Sequence, residues 1–424
     1  MTQRKMKDSG CEWLGDIPAL WGIARIGGLY TVRNEKCSDK DFAPLSVTMK
    51  GVVPQLADVA KTDDGDNRKL VRKGDFVINS RSDRRGSCGI SPLDGSVSVI
   101  NTVLKPRGEM DPGYYNWAFH SSEFADEFYA WGHGIVDDLW TTRWSDMKSI
   151  LVARPPLPEQ RKIAAFLDGE CGKIDVLRGK VEKQIAALEE YRKSVITEAV
   201  TKGVRRSRKM KASDVAWIAT APQEWERTRL KLLCDRDITY GIVKLGDPDE
   251  DGVKVLRCSD VLPGRIAEGE IRTVTKSLSQ EYSRTILRGG EVVVNVRGTL
   301  GGCAVVPEKM RGYNIAREVA MVAVKGNAAD ARFIMYQLLS SSFDSYIKMQ
   351  LSGAVYVGLN IEMLGKYSFF CPDLSEQHEI AAYLDKKCAA IDSMVAKCRE
   401  ELDRLAEYKK SLIYEYVTGK KEVA

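Results

Sequence analysis

One stretch of this chain occurs twice. PPLPEQRKIAAFLDGECGKIDVLRGKVEKQIAALEEYRKSVITEAVT, from Pro155 to Thr201, returns as PDLSEQHEIAAYLDKKCAAIDSMVAKCREELDRLAEYKKSLIYEYVT, from Pro372 to Thr418, at a constant offset of 217 and with no gap. About half of the aligned residues are identical. A repeat constrains architecture ahead of any other signal, and solenoid units recur every ~20–50 residues, far less than this spacing. The chain is one half of a protein, copied.

Each copy reads as a helix with a seam. Ile174, Leu177, Val181, Gln184, Leu188, Tyr191, Val195 and Glu198 alternate by three and four, and so do Ile391, Met394, Cys398, Glu401, Leu405, Tyr408, Leu412 and Glu415. That is heptad spacing, with Gln184 and Glu401 as polar seam residues that fix register. Ile185 and Leu402 widen the stripe. Pro158 suits a first helical turn and Ser375 can cap. Gly169 and Gly172 predict a short helix, a kink and then a long helix; thirty-odd residues make a rod of roughly 45 Å. Two seams on one chain favour intramolecular antiparallel pairing over dimerisation.

The copy extends beyond the helix. Met6–Trp21 matches Met210–Trp225 at offset 204, placing Trp13, Pro18, Trp21 and Arg25 on Trp217, Pro222, Trp225 and Arg229; Lys73–Arg81 matches Gly289–Arg297 at offset 216. The expected domains are therefore 1–154, a helical region 155–203, a second domain 204–371 and a second helical region 372–424. FVINS, VVVNV, SVSVINTVL and VAMVAVK read as strands, while YYNWAFHSSEFADEFYAWG and ADARFIMYQLLSSSFDSYIKM have helical spacing. The fold class is α+β: two tandem α+β domains with two long helices packed as an antiparallel coiled coil, in a pseudo-two-fold repeat. Residues 31–55 and 235–260 have no convincing correspondence, as expected for one scaffold presenting two surfaces.

Composition limits the partners. The 424 residues suggest two to four domains, and no run of eighteen apolar residues marks a membrane span. The N-terminus lacks a signal-peptide core, and ten cysteines without a C-x-x-C pair fit a reducing cytoplasm. Cys171 and Cys388 are repeat equivalents and read as small helix-packing residues. Net charge is only +5, so local patches decide on nucleic acid. Lys202–Lys211 carries six basic residues and no acid; beside a DNA-facing domain it would neutralise phosphates.

These residues resemble a known family. W-x-G-x-I-P-x-x-W (Trp13, Gly15, Ile17, Pro18, Trp21), the Gly74-Asp75 turn, and the duplicated helix start (Leu157, Glu159, Gln160, Ile163, Leu167, Asp168; Leu374, Glu376, Gln377, Ile380, Leu384, Asp385) resemble the DNA sequence-specificity subunit of type I restriction-modification systems. Ala219 and Ala221 depart from the pattern in the second lead-in. The resemblance implies a subunit without a catalytic site. Its two target recognition domains read a split target on double-stranded DNA through the major groove. Its helices serve as ruler and as docking sites for two adenine methyltransferase subunits, which bind S-adenosylmethionine. Restriction subunits using ATP and Mg²⁺ join through them.

The sequence contains neither a G-x-G-x-x-G nor a G-x-x-x-x-G-K-[ST] nucleotide loop, and His120, His133 and His378 are too dispersed for a metal site. Glu407-Tyr408-Lys409 mimics part of a nuclease motif but reads as a solvated helix face. Candidate DNA contacts lie in basic, polar turns: Arg33, Asn34, Lys36, Asn79, Arg81, Ser82, Arg84 and Arg85 in the first domain, and Tyr240, Lys244, Asn295, Arg297, Thr299, Arg311, Tyr313, Asn314 and Arg317 in the second. Arginine can bridge guanine O6 and N7, and asparagine can pair with adenine. Asn79 with Asn295, and Arg81 with Arg297, recur in both halves, which suits structural or phosphate-binding work. Two rivals remain: a self-contained restriction or modification enzyme, and a coiled-coil scaffold that binds protein.

Overall fold

The computed structural model describes residues 4–56, 65–135, 140–298, 300–351 and 358–423. Its contacts divide the chain into two units, Met1–Glu182 with Arg399–Ala424, and Lys183–Cys398. Each unit holds one strand-rich domain, the near part of the long helix that follows it, and the far part of the other long helix.

In the first unit β1 (Tyr30–Val32), β2 (Phe76–Asn79), β3 (Cys88–Ile90) and β4 (Asn101–Pro106) form an antiparallel sheet in the order β3-β2-β4-β1. All four residues of β2 are buried, which is why a continuous apolar run, not an alternating one, encodes it. SVSVINTVL breaks at Val99-Ile100: Gly95–Ser98 joins a second sheet and Asn101 opens β4. Two helices follow, α1 (Pro112–Phe119) and α2 (Ser122–Ala130), capped by the side chains of Asp111 and Ser121. Phe76, Phe119, Phe124 and Trp13 stack edge to face or tilted between sheet and helices, with centroids 4.6–5.7 Å apart.

The second unit repeats the frame. There β5 (Thr239–Tyr240), β6 (Val292–Asn295), β7 (Cys303–Val305) and β8 (Val319–Val322) are ordered β7-β6-β8-β5. Helices Ala331–Leu338 and Ser341–Leu351 stand where α1 and α2 stand in the first unit. Outside this frame the units differ. The first carries the sheet of Lys36–Cys37, Arg68–Val71 and Gly95–Ser98 and a hairpin over Leu45–Pro54. The second has Val253–Leu256 between Thr273–Val274 and Asn314–Ile315, and a hairpin over Val261–Ile266.

The duplicated helix start turns out to be a clamp between each domain and its helix. Trp21 Nε1 donates to Glu159 at 2.8 Å, and Trp225 Nε1 donates to Glu376 at 3.2 Å. Arg4 and Arg208 reach the same carboxylates at 2.5 Å while lying over the same tryptophan rings. Gln160 and Gln377 accept the backbone N–H of Asp111 and Asp330 at 2.8 and 2.9 Å. Asp168 accepts from Trp117 Nε1, and Asp385 from the Tyr336 hydroxyl, both at 2.8 Å. Trp13 and Trp217 complete the clamp by donating to Leu151 O and Ser368 O. The substitutions at Ala219 and Ala221 leave these bonds in place.

The long helices are α3 (Leu157–Lys202, 46 residues) and α4 (Leu374–Val417, 44 residues). The expected kink is absent: α3 runs unbroken through Gly169 and Gly172. Each glycine costs about 1 kcal/mol of helix propensity, but Leu167, Cys171 and Ile174 are buried around them, and that packing outweighs the cost. Asp373, not Ser375, caps α4 by accepting from Glu376 N at 2.8 Å. Cys171 and Cys388 are buried in the helix packing.

Within each unit the two helices run antiparallel. Lys409 Nζ meets Asp175 at 2.7 Å in the first, and Arg192 Nε meets Asp392 at 3.2 Å in the second; the offset of the repeat maps one pair onto the other. The seam, however, is not the expected one. Ile174, Val181, Val195, Ile391, Cys398 and Leu412 are buried, and Leu188 and Leu405 half-buried, but Leu177, Gln184, Tyr191, Glu198, Met394, Glu401 and Tyr408 face solvent. Their places are taken one residue later, by Arg178, Ile185, Arg192 and Ala199 on α3 and by Val395, Leu402, Lys409 and Tyr416 on α4. The two registers share every seventh residue, so spacing alone cannot separate them. Burial of Ile196, Ala199, Val200, Ile380, Leu384 and Cys388 against the second domain sets the rotation. Arg192 and Lys409 then bury their stems and carry their charges to the flanking aspartates.

Candidate nucleic-acid interface

In the first unit the chain reaches β2 through Gly74, whose φ of +92° suits only glycine without strain. Asp75 follows, buried, and accepts from Arg72 N at 2.9 Å and from Arg33 Nε at 2.7 Å. Its hydrogen bond holds the Arg33 guanidinium above its ordinary range despite desolvation. The second unit does the same with Glu291, which accepts from Arg288 N at 2.8 Å and Arg236 Nη2 at 2.6 Å. Arg33 is therefore a staple of the fold, and Arg236 is its counterpart in a stretch whose sequence shows no correspondence. The Arg33 side chain is only 14% exposed and its charge is met by Asp75 and Glu35.

At the end of β2, Asn79 is buried and its Oδ1 accepts from Arg81 N at 3.0 Å, turning the chain outward. Asn295 is likewise buried and donates to Cys258 O and Val261 O at 2.9 and 3.1 Å. Asn314, also buried, donates to Ser279 Oγ and accepts from Thr285. These three asparagines are buried and hydrogen-bonded inside the fold.

The surface lies beyond them. Ser82–Arg84 forms a single 3₁₀ turn. Arg81, Arg84 and Arg85 are exposed on it, as are Asn34 and Lys36 nearby. Arg84 lies 3.6 Å from Asp83 and is 61% exposed. Arg85 pairs with Asp126 and lies 5.1 Å over the Tyr129 ring. Beneath it lies a small pocket, lined in part by Arg81, Phe124, Phe128, Tyr129 and Trp140. Tyr129 and Trp140 were not anticipated as site residues. Aromatic walls beside arginine suit base stacking, but nothing in their local sequence separates them from core aromatics. The Ser82 side chain lies outside the described residues.

In the second unit the equivalent turn is replaced by glycines. Gly302 is required there, because a Cβ would meet Val261 O at 2.1 Å and Asn295 Nδ2 at 2.2 Å. Arg297 lies 5.6 Å over the Tyr240 ring, whose hydroxyl accepts from Ile361 N. Lys244 and Arg317 are exposed, Arg311 pairs with Glu308 at 2.6 Å, and Tyr313 is half-buried with Lys254 over its ring. Thr299 lies outside the described residues. Arg265, exposed on the Val261–Ile266 hairpin, was overlooked. The Pro263-Gly264 turn between β-branched residues was its signal.

The basic linker is largely spent within the second unit. Arg205 pairs with Glu379 at 2.7 Å, Arg208 with Glu376 and Glu224, and Lys211 donates to Trp225 O at 2.6 Å. That leaves Arg206 and Lys209 exposed, so the linker works as a tether to the start of α4 more than as a phosphate strip.

Known proteins share this organisation. Residues 222–403 match the model of the type I restriction modification DNA specificity domain. The chain is 25% identical over 279 residues to the EcoBI type I specificity subunit of Escherichia coli, a match covering 64% of this chain and 59% of that protein. It is 26% identical over 278 residues to the MjaVIII specificity subunit of Methanocaldococcus jannaschii, covering 64% and 62%. The matches thus span about three fifths of these curated relatives. A solved chain from work on complex assembly and conformational transition of the type I R-M system superposes with a TM-score of 0.70 at 17% identity, covering 95% of this chain and 98% of that one; at that identity the likeness is one of fold.

Proposed function

We propose that this chain is a DNA specificity subunit of a type I restriction-modification system, a non-catalytic subunit that binds double-stranded DNA at a two-part target. Each strand-rich domain reads one part. The paired helices carry two adenine methyltransferase subunits, and two restriction-translocase subunits join through these. S-adenosylmethionine, ATP and Mg²⁺ are used by the partners, and the assembly methylates adenine and cuts unmodified DNA in the cytoplasm. No helix among the described residues is long and apolar enough to cross a membrane.

The observation that carries this reading is a repeated frame with divergent surfaces. Both units keep the sheet order and the Trp–Glu–Gln–Asp clamp. At the same place after the shared central strand, one presents Arg84 and Arg85 where the other has Leu300 and Gly301. A scaffold that reads two unlike half-sites needs that arrangement, whereas a duplicated protein-binding scaffold would repeat its surface as well. Methylome sequencing of the host with and without this gene tests the proposal. A two-part methylated motif should vanish on deletion; an unchanged methylome overturns it.

A further inference from the structure

The two units carry the same device on surfaces that diverge in sequence. In the first, the Arg85 guanidinium lies 5.1 Å over the Tyr129 ring and pairs with Asp126. In the second, the Arg297 guanidinium lies 5.6 Å over the Tyr240 ring. Both arginines follow the shared central strand, β2 or β6. The duplication did not supply the match. The repeat equivalent of Arg297 is Arg81, and that of Arg85 is Gly301. The tyrosines differ in origin as well. Tyr129 stands on α2, at a place that Lys348 takes in the second unit when both are counted from the capping residues Ser121 and Ser340, whereas Tyr240 stands on β5. Two unlike surfaces have arrived at one arrangement.

Each ring is itself held. Asp126 and Tyr129 are three residues apart on α2, so carboxylate and ring share a face. The Tyr129 ring lies 5.7 Å from that of Trp140, whose Nε1 donates to Tyr129 O at 2.9 Å. The Tyr240 hydroxyl accepts from Ile361 N at 2.9 Å. A guanidinium laid on a fixed ring gives up rotamer freedom before any ligand arrives, which lowers the cost of binding. Stacking uses its face and leaves the N–H groups, which point outward in its plane, for a pair of acceptors. In the major groove only guanine offers two adjacent acceptors, O6 and N7; adenine and cytosine place an amino group there, and thymine a methyl.

We propose that Arg85 and Arg297 each read a guanine, one in each half of the DNA target, and that Asp126, Tyr129 and Tyr240 are positioning residues that preset the guanidinium. The inference rests on the specificity-subunit reading and adds to it the base, the reading side chain and the residues that orient it.

The test is methylation of a duplex library, randomised across the target, by the full chain assembled with the host's methyltransferase subunits, with the methylated products sequenced. Wild type should select a G·C pair in each half. Arg85→Ala should relax one such pair by about 5–150-fold and leave the other half unchanged, and Arg297→Ala should do the converse. Arg85→Lys should not restore the preference, because an ammonium keeps the charge without the planar fork. Tyr129→Ala and Asp126→Ala should weaken discrimination at the Arg85 pair and nowhere else, and Tyr129→Phe, which keeps the ring, should retain it. A merely structural role would instead lower methylation across the whole library. Arg84→Ala, on the same turn, should lower methylation of all sequences alike, as loss of a phosphate contact does. A half-site without a G·C pair, or an Arg85→Ala loss spread evenly over the library, overturns the guanine contact while leaving the specificity-subunit reading intact. A wild-type assembly that methylates without sequence preference overturns both.

Discussion

Glu376 offers the sharpest test of how each domain is fastened to its helix. Its side chain is 3% exposed and accepts from Arg208, itself 11% exposed, at 2.5 and 3.1 Å, and from Trp225 Nε1 at 3.2 Å. Glu376→Ala strands a buried guanidinium. Removing one partner of a buried pair costs about 3–5 kcal/mol. Arg208 keeps the more exposed Glu224 at 2.7 Å, which places the loss near the lower bound, about 3 kcal/mol. Glu159 makes the same bonds in the first unit, but it and Arg4 are each 24% exposed. Water can rehydrate Arg4, so Glu159→Ala loses little from the ion pair and about 1 kcal/mol from the Trp21 hydrogen bond, a total of about 1.5 kcal/mol. For units of this size 1 kcal/mol moves the melting temperature by about 2–4 °C. Glu376→Ala should therefore lower it by about 6–12 °C and Glu159→Ala by about 3–6 °C. Hydrogen exchange in Ala331–Leu338 and in α1 reports each unit separately. Glu376→Leu with Arg208→Met should recover most of the loss, because no unpaired charge stays buried. Equal losses in the two units, or a loss below about 1 kcal/mol for Glu376→Ala, would refute the argument.

Four shorter predictions address the seam, the staple, the exposed basic turn and a half-buried histidine. Val181→Asp buries an unpaired carboxylate and should cost about 3 kcal/mol, whereas Gln184→Asp on the exposed line should stay within about 0.5 kcal/mol by chemical denaturation; the reverse ranking would restore the other register. Arg33→Ala should destabilise the first unit by about 2–3 kcal/mol, since it leaves Asp75 buried without its partner. Arg84→Ala should leave the melting temperature unchanged but weaken DNA binding by the assembled complex and reduce its salt slope by about 1. His120 is half-buried against Cys88 and Asn116, and desolvation lowers its pKa below the usual 6.5. The unfolded chain thus takes up the proton first on acidification, and the stability of the first unit should fall as pH drops below 6.5; His120→Gln should flatten that dependence between pH 7 and 5.5.

The sequence by itself determined a good deal. The duplication, the strand–helix succession within each half and the bounds of the long helices follow from local signals: an apolar run buried on both faces, a Pro or Asp at a helix start, a repeat at fixed offset. Even the clamp was visible as the shared Trp, Glu, Gln and Asp, though not its purpose of fastening domain to helix. What only tertiary structure decided is the rotation of α3 and α4 about their axes and the fate of each charge. Registers one residue apart share half their positions, and packing against the strand-rich domains chose the one that turns Leu177 and Tyr191 outward. Arg33, Arg205 and Arg208 sit in basic runs that look free, yet carboxylates distant in sequence claim them. Spacing encodes periodicity, but which partner neutralises a charge depends on contacts between residues 42 to 174 positions apart, and these exist only once the chain has folded.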